Sequence, residues 1–461
     1  MSKTSPTLKR IHEPTAYDTG AWPDSHWRAT APAAPPRPPL EGDRETDVAV
    51  IGAGYAGLNA ALELAGRFGR TVTVLDAGQP GWGASGRNGG FCVMGGTKLS
   101  ARRIVARFGT QAACDYDRYQ VEAVHYVDEI LQAQGIDAER GPDGELCLAH
   151  SPRAMAALRD TAAFESEIFD RHIQVLRPEE LAEMGLATHW APGAVLTPVG
   201  FPLHPMKYVL GLARAAEAEG AAIFADSPVD GLARDGAAWR LTTPRGTVRA
   251  KQVLVATNGY SSDNLPGWIG GRTLPVLSSV FVTRPLTGSE RRAQGWSSRI
   301  MTFDSRELLH YYRLLPDNRM MFGMRGAVRA TDAALNAAHA RARRHMAAMF
   351  PHFAGAEVER HWSGLVCVTG SLAPFVGAVP GAEGVFAAFG WHGNGVSLAS
   401  YSGARIARAM TRADTLPALI RRPPRRFPLP PLRRLGLGMA YAAMTLRDGG
   451  LKPQGNSRGA S

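Results

Sequence analysis

Gly52-Ala53-Gly54-Tyr55-Ala56-Gly57, with Asp76 nineteen residues beyond Gly57, sets three glycines and one acid at a spacing that suits a dinucleotide. Gly52 permits a tight turn, and Gly54 lets the backbone come close to a pyrophosphate. Gly57 lets the following helix pack on its sheet, so that the helix start at Tyr55 and Ala56 points at phosphate oxygens. Asp76, followed by Ala77, is placed to accept from ribose hydroxyls.

A second loop, Gly81-Trp82-Gly83-Ala84-Ser85-Gly86-Arg87-Asn88-Gly89-Gly90, follows at once. It is too rich in glycine for a surface helix and too long for a tight turn. A nicotinamide enzyme has no obvious use for it, whereas a flavin dinucleotide is bulkier and must be threaded past the backbone. A disordered glycine loop is the plain alternative. A third cluster, Gly390-Trp391-His392-Gly393-Asn394-Gly395-Val396, offers free backbone N–H groups and the positive end of a helix dipole.

These loops need elements to hold them. Residues 46–51 read as a buried strand, 58–65 as a helix and 71–75 as a second strand ending on Asp76. A helix from His204-Pro205 to about 219 leads to a third parallel strand at 221–225. Residues 253–259 form an apolar strand with a small polar exit, and 384–389 a strand feeding the third glycine cluster and a helix at 397–410. Between these lie helical residues 99–134, a strand at 145–150 and a helix at 152–169. Strands at 275–284, 308–315 and 320–323 follow, the last two joined through Pro316-Asp317-Asn318-Arg319 as a hairpin. The fold class expected is α/β with α+β character: a Rossmann-like FAD-binding domain interleaved with a substrate domain built on an antiparallel sheet. The first takes residues 46–98, 198–270 and 360–412, and the second takes 99–197 and 271–359. Residues 1–45 are expected to form an extended N-terminal arm, and 413–461 a basic, proline-rich tail with a short helix, disordered after Asp448. Tyr311 and Tyr312 fall on opposite faces of their strand, so either one faces a cavity, Tyr312 by preference, or both are packing residues.

Together these residues resemble the FAD-dependent D-amino-acid oxidase superfamily, and within it the gamma-glutamylputrescine oxidoreductase branch, marked by the Gly83-to-Gly90 loop. The resemblance covers most of residues 17–411 and implies FAD. It adds Val229, whose backbone would contact adenine, and the turn holding Thr257 and Gly259, near the dinucleotide. The expected cofactor contacts are then Gly52, Gly54, Tyr55, Ala56, Gly57, Asp76, Ala77, Ser85, Arg87, Asn88, Gly89, Gly90, Val229, Thr257, Gly259, Gly390, Gly393, Asn394, Gly395 and Val396.

The chemistry implied is oxidation of the carbon–nitrogen bond of an amine, a gamma-glutamyl polyamine or a related primary or secondary amine, with hydride transfer to the flavin and hydrolysis of the imine. Alternatives are an N-methyl or D-amino-acid oxidase or dehydrogenase, or a non-catalytic flavin-binding protein. Oxygen or an electron-transfer partner would take the electrons, because the strand 320–323 lacks the lysine that sarcosine-oxidase relatives use with oxygen. The family's usual third cluster is Gly-x-x-Gly-His-Gly. Here Asn394 takes the histidine's place and His392 precedes it, as either a flavin or substrate contact or a structural histidine. No general base is named. Substrate-cavity candidates are Tyr312, Trp362, Trp391, His392 and Arg325, the aromatic three as a wall that desolvates the amine. Arg313 and Arg325 are candidates for a carboxylate clamp. Cys367 lies near the place of a flavin-tethering cysteine but is shifted by about two residues, so FAD is expected to be non-covalent.

Composition fits this reading. The chain of 461 residues is 45% hydrophobic, enough for one large core or two joined ones. Its four cysteines show neither zinc nor disulfide spacing, and no metal is expected. The first 14 residues lack an apolar core segment and no run suits a membrane span, so a cytoplasmic enzyme is expected. A net charge of +11 leans on the arginine-rich tail, and without a recognised module nucleic acid is not expected as a partner. The segment Arg421-Arg422-Pro423-Pro424-Arg425-Arg426 and the apolar stretch 432–446 are most simply an arm that packs back. A peripheral membrane contact is the alternative.

Overall fold

The computed structural model describes residues 8–411 and 415–449. Its chain forms two units, Met1–Arg140 with Leu203–Leu277 and Gly364–Arg434, and Gly141–Pro202 with Ser278–Ser363 and Leu435–Ser461. Disorder expected beyond Asp448 concerns residues that, from 450 onward, lie outside the described ones.

The first unit is built on a mostly parallel sheet. In spatial order its strands are Phe375–Ala378, Val385–Phe389, Gly246–Val255, Gly42–Ile51, Val72–Leu75 and Ala222–Phe224. Ala49 registers with Val253, and Val50 with both Leu254 and Val74, in parallel pairs. Val48, Ala49, Val50 and Leu75 are all buried, which is why these strands read as apolar runs rather than as alternating ones. Ala222–Phe224 pairs in parallel with Val72–Leu75, as the third parallel strand should.

Helices Tyr55–Leu62 and Gly395–Thr411 lie backbone to backbone, because a Cβ on Gly403 would sit 2.2 Å from the Ala56 carbonyl oxygen. The small residues of the second helix also seat hydroxyls: Tyr208 donates to Ser400 Oγ at 3.0 Å, and Tyr119 shares a 2.9 Å bond with Ser402. Tyr119 belongs to helix Thr110–Ala133, whose residues the sequence pattern assigns to the second domain. The structure groups 99–140 with the first unit instead, since the buried face of this helix carries tyrosines that bond to that unit's helices, Tyr126 to Asn59 included.

The N-terminal arm is another correction. Its composition suggests an extended, unpacked chain, yet Tyr17, Trp27, Arg37 and Leu40 are buried. A five-residue helix, His26–Thr30, aims Trp27 so that its indole N–H donates to the Asn88 carbonyl at 2.7 Å, and Arg37 pairs with Glu217 at 2.9 Å.

In the second unit the sheet runs through Arg319–Ala327, His310–Leu314, Met301–Asp304, Glu145–Leu148, Ala194–Thr197 and Gln174–Leu176. Thr273–Pro285 and Val358–Thr369 carry the chain into and out of this unit. The hairpin expected at 308–323 is present, with Tyr312 opposite Phe322 and Tyr311 opposite Gly323. From Arg319–Ala327 to Gln174–Leu176 neighbouring strands pair antiparallel, apart from Met301–Asp304 on Glu145–Leu148, which is parallel. One face carries Leu146, Leu148, Tyr312, Leu314, Met320 and Phe322, and packs with Ala342, Met346 and Met349 of helix Asp332–Met349. The opposite face carries two cross-strand rows: Glu145, Met301, Arg313 and Met321, then Cys147, Phe303, Tyr311 and Gly323.

Candidate functional site

The turn after strand Gly42–Ile51 takes the shape its glycines predict. Gly52 has φ +110°, and a Cβ there would lie 2.9 Å from the Ala256 carbonyl. A Cβ on Gly57 would lie only 1.9 Å from the Gly52 carbonyl, so no larger residue lets the helix start this close to the strand. Gly54 caps helix Tyr55–Leu62 without a side chain. The backbone N–H of Tyr55 is met instead by Ser85 Oγ at 3.0 Å, which fastens the second glycine loop onto the first.

Asp76 is held beside the same turn. Its Oδ2 accepts from Ala53 N–H at 2.6 Å and its Oδ1 from Gly78 N–H at 2.9 Å. Burial is the larger influence and pushes its carboxyl up to about 6 despite these two donors. The Asp76 carbonyl accepts from Ser227 N–H at 2.7 Å, so the segment leading to Val229 runs against the acid-tipped strand end.

Within the second loop, Asn88 organises the backbone. Its Nδ2 donates to the carbonyls of Ala84 and Ser85 at 3.1 and 3.0 Å, and its Oδ1 accepts from Gly90 N–H at 2.8 Å. Arg87 lies over the Trp82 ring, 4.2 Å from its centroid, and Arg87 Nε–H donates to the Trp82 carbonyl. The role of Trp27 on Asn88 is not legible in the sequence, because nothing in a proline-rich arm marks it.

The third cluster meets the first through the turn at Thr257. Asn258 Oδ1 accepts from Gly390 N–H at 2.9 Å, while Gly52 abuts Ala256. His392 sits at φ +52° and is 1% exposed. Its Nδ1 donates to the Gly96 carbonyl at 2.8 Å and its Nε2 accepts from Thr369 N–H at 3.2 Å. Both ring nitrogens are therefore spent on backbone, which makes His392 a neutral clamp and favours the structural role of the two open ones. Asn394 turns its amide to the Met94 carbonyl at 2.7 Å, and Ser397 donates to the Val93 carbonyl. Residues 93–96 are thus a fourth segment held at this site, one that carries no motif in the sequence.

The substrate candidates fare differently. Tyr312 does not face a cavity: it is fully buried in the second unit's core, stacked on Phe322 at 5.6 Å with Trp296 and Phe350 edge-on. Strand alternation gives two faces but not which one a helix will cover, and helix Asp332–Met349 covers that of Tyr312. Tyr311 takes the other face, half-buried, with its hydroxyl 2.9 Å from Ser278 Oγ. Arg313 and Arg325 also lie on this sheet, with Arg313 buried and Arg325 half-buried. Trp391 is buried in the first unit and Trp362 in the second. Glu145, which no sequence motif singles out, is half-buried in the row with Arg313, and burial pushes its carboxyl up to about 8.

The first-unit residues suit FAD. Glycines at 52 and 57 stand where a Cβ would close the turn, the helix start beyond the Ser85-bound Tyr55 N–H has no side-chain cap and suits phosphate, and an acid stands at the strand end for ribose. Cys367 is buried in the core with Phe375 and Phe389, and burial raises its thiol to about 12, so it is a poor nucleophile for tethering a flavin.

Comparison with known proteins agrees. The profile of the DAO family, described as FAD dependent oxidoreductase, matches residues 47–409. A probable oxidoreductase OrdL of Rhizobium meliloti is 33% identical over 82% of this chain and 86% of its own length. The gamma-glutamylputrescine oxidoreductase of Escherichia coli is 28% identical over 92% of this chain and 98% of its own. The crystal structure of glycine oxidase from Geobacillus kaustophilus superposes with a TM-score of 0.67 at 22% identity, covering 81% of this chain and 96% of that one. The chain belongs to the DAO family of FAD-dependent oxidoreductases.

Proposed function

We propose that the chain oxidises the carbon–nitrogen bond of an amine, with a gamma-glutamyl polyamine or a related primary or secondary amine as substrate. The observation that carries the reading is the meeting, in one unit, of three glycine clusters far apart in sequence, through Ser85 on Tyr55 and Gly390 on Asn258. The relative named gamma-glutamylputrescine oxidoreductase, matched over nearly its whole length, supports the choice of amine.

FAD supplies the two-electron acceptor that no side chain provides. With FAD bound, the carbon next to nitrogen would give its hydride to the flavin and the nitrogen its proton to water, and the resulting imine would be hydrolysed. The chain's own residues bind and orient. The glycine turn and helix start would take phosphate and Asp76 ribose, while the His392 clamp fixes the loop that enters helix Gly395–Thr411. On the second unit, Glu145 and Arg313 stand two strands apart in one row, roughly 9–10 Å between backbones. With its carboxyl held at about 8, Glu145 is protonated near neutral pH, so the pair suits a ligand with a neutral amine at one end and a carboxylate at the other.

Anaerobic mixing of the yellow protein with a panel of amines tests this. Bleaching of the flavin by gamma-glutamyl polyamines, faster than by N-methyl or D-amino acids, is the expected result. Bleaching by dithionite but by none of the amines would overturn it.

A further inference from the structure

The C-terminal helix Arg433–Arg447 forms where the sequence places it, and it packs back on the protein. Leu437 and Tyr441 are buried on its inner side. Arg433 is paired with Asp263 at 2.6 Å, Arg434 with Glu13 at 3.2 Å and Arg447 with Glu307 at 2.8 Å. The outer side is unusual. Leu435 is 64% exposed, Met439 65% and Leu446 82%, and the other exposed positions from 435 to 446 are Ala442, Ala443 and Thr445. A helix on a protein surface turns charged and polar residues outward. This one turns an apolar stripe outward over three turns and carries no charge on it. Leu429 and Leu432, just before it, are exposed at 70% and 53%.

The surrounding charge selects what covers the stripe. Residues 415–447 contain seven arginines and no aspartate or glutamate. Arg421, Arg422, Arg425 and Arg426 are exposed. A second copy of this chain would set arginine against arginine across the contact, whereas an anionic surface is attracted by them. The helix is about 22 Å long, short of the ~30 Å hydrocarbon core, and no helix among the described residues is long and apolar enough to cross a membrane. Its dimensions suit lying in the plane of an interface, apolar side down.

We propose that the stripe of Leu435, Met439 and Leu446, with the exposed arginines before it, docks this protein on an anionic lipid bilayer. The proposal does not depend on the identity of the amine. A bilayer contact would also bring a flavoprotein next to lipid-soluble electron acceptors.

Sedimentation of the full-length, FAD-loaded protein with vesicles of phosphatidylcholine and phosphatidylglycerol tests it, against vesicles of phosphatidylcholine alone. Binding to the anionic vesicles that weakens with added salt is expected. The double variant L435E/M439E should lower the partition by roughly tenfold or more while keeping its flavin absorbance and circular dichroism, because both side chains are solvent-facing. The triple variant R421Q/R422Q/R425Q should bind less and respond less to salt. Three outcomes overturn the proposal: no pelleting above the phosphatidylcholine control, equal partition of wild type and L435E/M439E, or a dimer in the ultracentrifuge that L435E/M439E dissociates without any vesicle binding.

Discussion

At the scale of single residues, the site depends on polar atoms that burial makes expensive. Asp76 sits at about 6 because burial outweighs two backbone donors, so its carboxylate is held ready for further donors such as ribose hydroxyls. Asp76→Ala should weaken FAD binding by about 10–100-fold, since bonds to a charged acceptor contribute roughly 1.5–3 kcal/mol. Titration of the apoprotein with FAD, followed by flavin fluorescence, measures this; an unchanged affinity would remove Asp76 from the site. Glu145 makes a statement about stability. Its carboxyl lies at about 8 in the folded protein against an ordinary 4.5. Between those values the folded state holds a proton that the unfolded chain has shed, so stability falls as pH rises through that window. Glu145→Gln should flatten that fall and gain about 1–2 kcal/mol over wild type at pH 8, after discounting for partial exposure, with little difference at pH 4.5. Urea midpoints of both proteins at the two pH values decide it. Asp76 is legible in the sequence because its place follows from a strand end. Glu145 is not, because its chemistry comes from strands it pairs with, 50 and 150 residues further along the chain.

The elements show why the glycines are readable and the tyrosine pair is not. A glycine at position 57 answers a backbone requirement that is local, since a Cβ added there would come within 1.9 Å of the Gly52 carbonyl. Gly57→Ala must therefore push helix Tyr55–Leu62 off strand Gly42–Ile51. It should cost about 3 kcal/mol and release FAD, with the backbone carbonyl unable to give way as a flexible side chain would. Gly69→Ala is the control: its φ is +57°, whereas Gly57 is helical, and nothing lies within 4 Å of the added Cβ. A comparable loss of FAD in both variants would deny Gly57 its special place. The choice between Tyr311 and Tyr312 needs knowledge of which face helix Asp332–Met349 covers, and that is a tertiary fact. Likewise, helix Thr110–Ala133 shows a clear helical period, but its partners, Asn59 and Ser402, lie in segments roughly 50 residues before it and 270 after.

For the molecule as a whole, the expected FAD contacts come from three stretches of chain that the second unit interrupts: Gly52 to Gly90, Val229 to Gly259, and Gly390 to Val396. All of them fall in the first unit, so a bound dinucleotide would tie together segments whose closeness otherwise rests on packing and on bonds such as Gly390 N–H to Asn258. Two consequences can be measured on one sample. Cys367, with its thiol raised to about 12 inside an apolar cluster, should form no bond to the flavin. Acid precipitation should then leave a white pellet and a yellow supernatant; a yellow pellet would mean a covalent link. The apoprotein left after such removal at milder pH should unfold earlier than the holoprotein. A ligand at 100 times its dissociation constant stabilises the folded state by about 2.7 kcal/mol, which in a chain of this size is a shift of a few degrees. If the contacts are the expected ones, all in the first unit, that shift should appear in the transition of the first unit and leave the hydrogen-exchange protection of the core around Tyr312 and Phe322 unchanged. Equal protection gained in both units would overturn the assignment of the expected contacts to the first unit alone.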